Sequence, residues 1–127
     1  MKHGFYGENF IDESTATTAI AATRGVKVGG TVGNLYAVAI AGEGGCSIAA
    51  GKTVTLNATE SDTLDGTYAS NGVTSTRTFA SATSFAEGDV ICELGFPSYS
   101  KMFAKVAFAS NDSAISGKVK VIARPRG

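Results

Sequence analysis

The sequence predicts an all-β domain built as an antiparallel β-sandwich, and three observations predict it. Short runs alternate apolar and polar residues with period two, as in Val54-Thr55-Leu56-Asn57-Ala58-Thr59 and in Met102-Phe103-Ala104-Lys105-Val106-Ala107-Phe108. That is the pattern of strands that bury one face. Turn signals rich in Gly, Asn and Asp separate these runs at intervals of roughly 8–12 residues, the spacing of a sandwich or barrel. No stretch sustains a helical apolar period. The alanines between Ala16 and Thr23 are interrupted by Thr17, Thr18, Ile20 and Thr23, whose β-branched side chains disfavour helix and suit strand.

In chain order, residues 1–15 read as an extended N-terminal arm ahead of one sandwich domain over 16–127. Gly4, Gly7 and Asp12-Glu13-Ser14-Thr15 are poor element interior, so the arm reads either as a frayed tail or as a segment whose Phe5, Tyr6, Phe10 and Ile11 dock on a neighbouring subunit. Residues 16–23 form an extended or weak strand, and Val26 and Val28 alternate until Gly29-Gly30. Leu35 to Ala41 is the best strand of the first half. It has Tyr36, Val38 and Ile40 on one face and Leu35, Ala37 and Ala39 on the other, so both faces are apolar, as in a central sandwich strand. Gly42-Glu43-Gly44-Gly45 is expected to end it. Val54, Leu56 and Ala58 face inward from the next strand, and Glu60 to Tyr68 is a solvated loop. Asn71-Gly72 signals a turn, Thr74 to Ala80 a short strand, Glu87-Gly88-Asp89 a turn, and Val90 to Leu94 a strand. The chain closes on a long hairpin. Its first arm puts Met102, Ala104, Val106 and Phe108 inward and Lys105 outward. Ser110-Asn111-Asp112-Ser113 turns it, and Val119 and Val121 face in from the second arm.

A chain of 127 residues is one domain with room for a hydrophobic core. Its 11 basic and 11 acidic residues balance, which argues against a partner that is nucleic acid or an anionic membrane. Charged residues make up 17%, and the abundance of Gly, Ala, Ser and Thr suits a surface partly covered by neighbours. Cys46 and Cys92 form no C-x-x-C pair, so they read as two buried free thiols, with a disulfide between them the alternative, rather than zinc ligands. The N-terminus has no apolar core followed by a cleavage site, and no run approaches the length of a membrane helix, which points to synthesis in the cytoplasm.

Reactive constellations are sparse. His3 stands alone, in the arm, where a catalytic triad could not be held. Gly51-Lys52-Thr53 imitates a phosphate loop, but the first glycine of that motif would fall at Cys46. Glu60, Asp62 and Asp65 lack calcium-loop spacing. They could serve a small hydrolase, yet the chain has no Trp to form a sugar platform, and its aromatics are dispersed. The expectation is a protein that is not an enzyme, with no catalytic residue, cofactor or metal.

Four stretches carry a resemblance. They are Ser14-Thr15-Ala16-Thr17-Thr18, then Leu35-Tyr36-Ala37-Val38-Ala39-Ile40, then Val54 to Asp62, and last the closing pair. That pair runs from Phe96-Pro97-Ser98-Tyr99 through Met102–Phe108 to Ile115-Ser116-Gly117-Lys118-Val119-Lys120-Val121. Together they resemble the jelly-roll cement, or decoration, proteins of tailed bacteriophages. Most of the chain after the arm is covered, and the Gly-rich N-terminal segment departs from members that begin at the first strand. The resemblance implies a jelly-roll sandwich that assembles as a homotrimer. It would sit on the capsid exterior of a virion and stabilise contacts between major capsid protein subunits, with no nucleic acid or membrane partner. Phe5, Tyr6, Phe10, Ile11 and Lys105 are the expected partner-binding residues. The alternative is a carbohydrate- or receptor-binding β-sandwich displayed on a particle.

Overall fold

The computed structural model describes residues 9–28, 35–96 and 101–125. They form ten strands: β1 (Asn9–Thr15), β2 (Ala19–Ile20), β3 (Val26–Lys27), β4 (Leu35–Ile48), β5 (Thr53–Ser61), β6 (Ala69–Thr78), β7 (Thr83–Phe85), β8 (Val90–Gly95), β9 (Phe103–Ser110) and β10 (Ser116–Pro125). Two antiparallel sheets pack face to face as a β-sandwich. Sheet A runs β1-β10-β4 and then β7 and β8, which both pair with β4. Sheet B runs β6-β5-β9 and then β2 and β3, which both pair with β9. Counted by position, each sheet has four places. The pairings nest: β1 with β10, β2 and β3 with β9, β4 with β7 and β8, and β5 with β6. Among the described residues, β5 and β6 are the only consecutive strands that pair with each other.

The inward residues anticipated from alternation meet between the sheets. Val54, Leu56, Ala58, Ala104, Val106, Phe108, Val119 and Val121 are all buried in one core cluster. Met102 is not among them. It precedes β9 and is 41% exposed, because the strand ladder begins only at Phe103. Cys46 and Cys92 are free and buried, as expected. Burial raises both thiols above their ordinary value, and the Asp112 carboxylate pushes Cys46 further up, so neither is a ready nucleophile.

Three expectations need correction. The arm is shorter than residues 1–15, because Asn9–Thr15 is a strand on the edge of sheet A. Phe10 and Ile11 are 0% exposed in the chain's own core, and Phe10 stacks on Phe96 with ring centroids 5.7 Å apart. Register shifts on either side of Ile11 bend this strand, which lets two successive side chains turn inward against the usual alternation. They are therefore not available to a partner. Phe5 and Tyr6 lie outside the described residues.

The second correction concerns Gly42-Glu43-Gly44-Gly45, which interrupts β4 without ending it. Gly44 and Gly45 adopt φ of 86° and 85°, and across from them the register jumps from Gly117↔Cys46 to Val119↔Ala41. The result is a bulge that re-aims the rest of β4 to pair with β7. Gly117, at φ 96°, closes against it. A Cβ there would collide with the Gly45 carbonyl and lie 2.8 Å from Cys46 Cα. Gly117→Ala should therefore destabilise by at least about 1–3 kcal/mol from the backbone conformation alone, read as a lowered midpoint in a denaturant melt. Asn71-Gly72 likewise falls inside β6 rather than in a turn, where the register against β5 shifts.

Third, β9 and β10 are not a hairpin. They lie in different sheets. Each is already flanked on both sides, β9 by β5 and the β2/β3 pair, β10 by β4 and β1. The polar linker crosses between the sheets and bonds to other segments as well as within itself. The Ser110 N–H donates to Thr18 O (2.9 Å), Ser110 Oγ donates to Thr53 O (2.8 Å), and the Thr53 N–H donates to Asn111 Oδ1 (2.8 Å).

Candidate functional site

The two outer faces of the sandwich differ in chemistry. On sheet A, β4 turns Tyr36, Val38 and Ile40 outward, opposite Arg124, Ile122 and Lys120 of β10. Val38 and Ile40 are 0% and 7% exposed but stand outside the core cluster. The second apolar face of β4 thus lies on the outside of the sandwich, beside Lys120, Ile122 and, from β8, Glu93. Lys118, Arg124 and Glu93 are exposed around it.

Sheet B presents a different surface. Thr53, Thr55 and Asn57 of β5 lie opposite Thr78, Thr76 and Thr74 of β6, and Ala109 and Ala107 of β9 lie on the other side of Thr55 and Asn57. No ionisable side chain interrupts these rows. Several polar groups already satisfy one another: Thr55 Oγ1 and Thr76 Oγ1 are 2.9 Å apart, and Thr74 Oγ1 donates to Asn57 Oδ1 at 2.7 Å. Lys105 marks the border of the face. It is half-buried, and its ammonium sits 4.5 Å from the centroid of the Tyr68 ring, a cation–π contact. Tyr68 is fixed in turn by donating from its hydroxyl to Leu64 O (2.8 Å).

The acidic loop does not gather into a site. Asp62 pairs with Lys101 at 3.9 Å, and Glu60 Oε1 accepts from the Lys101 N–H at 3.1 Å. Among the described residues no group of three or more His, Cys, Asp or Glu could hold a metal. His3 lies outside those residues.

The sequence reading missed two features. Arg77 ties the edge of sheet B to that of sheet A. It donates from Nη1 to Ile91 O (3.0 Å), and its guanidinium carbon lies 4.7 Å from the Phe79 ring centroid and 5.8 Å from that of Phe85. The second is a groove of about 270 Å³ lined by Ser47, Ala49, Ala82, Thr83, Ser84 and Ala114, with Ile48 and Asp112 beneath. Asp112 is 2% exposed, and both of its oxygens are taken, Oδ2 by the Ala49 N–H (2.8 Å) and Oδ1 by the Ala114 N–H (2.9 Å). In sequence it was one polar residue in an apparent turn. Only its distance from Ala49 along the chain explains its role, and no local pattern carries that.

Asp112 gives a pH prediction. The Ala49 N–H does most to hold its carboxyl below the ordinary value of 3.8. Burial opposes this, and the Ala114 N–H and Lys52 add to it. A carboxylate depressed in the folded state contributes stability that is present above the unfolded value and lost as pH falls through the folded one. Asp112→Asn should lower the melting temperature at neutral pH by several degrees. It should also flatten the loss of stability below about pH 4, measured by thermal melts across a pH series.

Comparison of the chain with family models, curated proteins and solved structures finds no match in any of the three.

Proposed function

We propose that this chain is a structural cement protein of a tailed bacteriophage. It is made in the host cytoplasm and assembles as a homotrimer on the exterior of the capsid, where it stabilises contacts between major capsid protein subunits. The observation that carries the reading is the nested strand order. When β2 with β3 and β7 with β8 each count as one interrupted strand, first pairs with last, second with seventh, third with sixth and fourth with fifth. This order supports a jelly-roll winding, two Greek keys on a folded ribbon, as the resemblance implied. The charge-free face of sheet B supports it, since such a surface can be buried without stripping water from ions. Phe5 and Tyr6 remain proposed contacts, as does Lys105 at the border of that face. Each contact is modest, and repetition over a lattice makes it effective.

The test is addition of the purified chain to shells of the same virus assembled without it. Saturable attachment, with a raised temperature of shell disruption, is the expected result. Binding to a glycan array, with shells left unchanged, would instead favour a displayed carbohydrate- or receptor-binding sandwich.

A further inference from the structure

We infer that the copies associate head to tail, the Thr/Ala face of sheet B on one copy docking over the groove between β4 and β7 on the next. The inference rests on the trimer reading and gives it a contact. A ring requires two different patches on each copy that complement one another, whereas a two-fold pair needs one that complements itself. The chain has two uncharged patches in different places. The first is the face formed by Thr53, Thr55, Asn57, Thr74, Thr76 and Thr78, extended by Ala107 and Ala109. The second is the concave groove lined by Ser47, Ala82, Ser84 and Ala114. They are joined around one edge of the sandwich by the short link from Thr78 to Thr83.

Charge selects the pairing. Burying an unpaired charge is costly, so an uncharged face excludes the Lys- and Glu-bearing face of sheet A as its partner. The groove meets this condition, because the one ionisable residue of its lining, Asp112, already accepts from two backbone N–H groups. Entropy favours these surfaces too. Thr, Ser and Ala lose little rotamer freedom on burial compared with Lys, Arg or Glu. The hydroxyl pairs across β5 and β6 keep their partners when water leaves.

Area selects the ring. Three strand positions about 4.8 Å apart and roughly 17 Å long give the face of β5, β6 and β9 about 250 Å². A stable specific contact needs about 800 Å² from each partner. One such contact is weak. A copy in a closed ring uses its face and its groove together, which doubles the area it buries.

The experiment uses the full chain and light scattering from low to high micromolar concentration, with Thr76→Lys and Asn57→Lys on the face and Ser84→Lys in the groove. All three positions are exposed, so each variant should melt as the wild type's monomer does, and circular dichroism checks that it is folded. The wild type should reach about three times its 12.9 kDa mass, and each variant alone should remain near one. A mixture of a face variant with the groove variant keeps one intact, weak contact, so its mass should rise above the monomer's only at the high end of the range and stop at about twice it. A wild type that stays monomeric removes the trimer reading, and this inference with it. A wild-type trimer that the variants leave intact overturns only the assignment of these patches. So does association lost with the face variants but kept with Ser84→Lys, which would mean that the face pairs with something other than the groove. Face variants that stay trimeric but no longer attach to shells would give the face to the capsid and overturn the inference.

Discussion

Phe108→Ala should cost about 3–5 kcal/mol, a large share of the 5–15 kcal/mol that holds a typical domain. Phe108 is 1% exposed and lies inward on β9, the strand that β5 flanks on one side and β2 and β3 on the other. Truncation there leaves a cavity that strands paired on both sides cannot collapse to fill. The neighbouring change Lys105→Ala should cost only about 0.5–1 kcal/mol. Its ammonium touches the face of Tyr68 at the surface, and an exposed cation–π contact is worth about that much. Denaturant melts of the two variants decide. Equal effects would mean that the inward and outward sides of β9 are wrongly assigned.

Deletion of residues 1–13 should abolish the cooperative fold. An unstructured arm could be removed without harm, but this deletion takes away most of β1. It removes Phe10 and Ile11, both fully buried, the stacking of Phe10 on Phe96, and part of the ladder that covers β10. It also removes the Asp12 carboxylate that pairs with Arg24 at 2.7 Å. Losing one large core side chain costs about 3–5 kcal/mol, and two of them together with an edge strand approach a whole domain's margin. The expected result is a shallow melt and collapsed amide dispersion in an NMR spectrum. A truncated chain that melts sharply, near the wild-type midpoint, would show that β1 is dispensable.

The contrast between these two experiments marks where local pattern carries information. Phe108 was legible because β9 alternates without interruption, and period two fixes which side chains share a face. Phe10 and Ile11 were not, because they are adjacent. Two neighbouring residues point the same way only where a strand is bent, and the bend is set by the register of β1 on β10. The glycines at 44 and 45 misled for a related reason. Glycine marks a permissive backbone, and whether the chain turns there or bulges and continues depends on the strand beside it. The candidate surfaces follow the same division. Thr53, Thr55 and Asn57 were recognisable as outward residues. The groove was not, since it joins segments near 47, 83 and 114 that no spacing connects.

By itself, then, the sequence determined an all-β chain, most of its inward residues and the central place of β4. Each of these depends on the polarity of neighbours within a few positions. Which strand pairs with which was decided only by the tertiary structure. An alternating strand offers hydrogen-bonding groups on both edges, and those groups are the same for every residue type except proline. The choice between a hairpin and a crossing for β9 and β10 therefore lies in what already occupies their edges. The Ser110–Asp112 linker fits the crossing because Thr18, Ala49 and Thr53 are there to meet it.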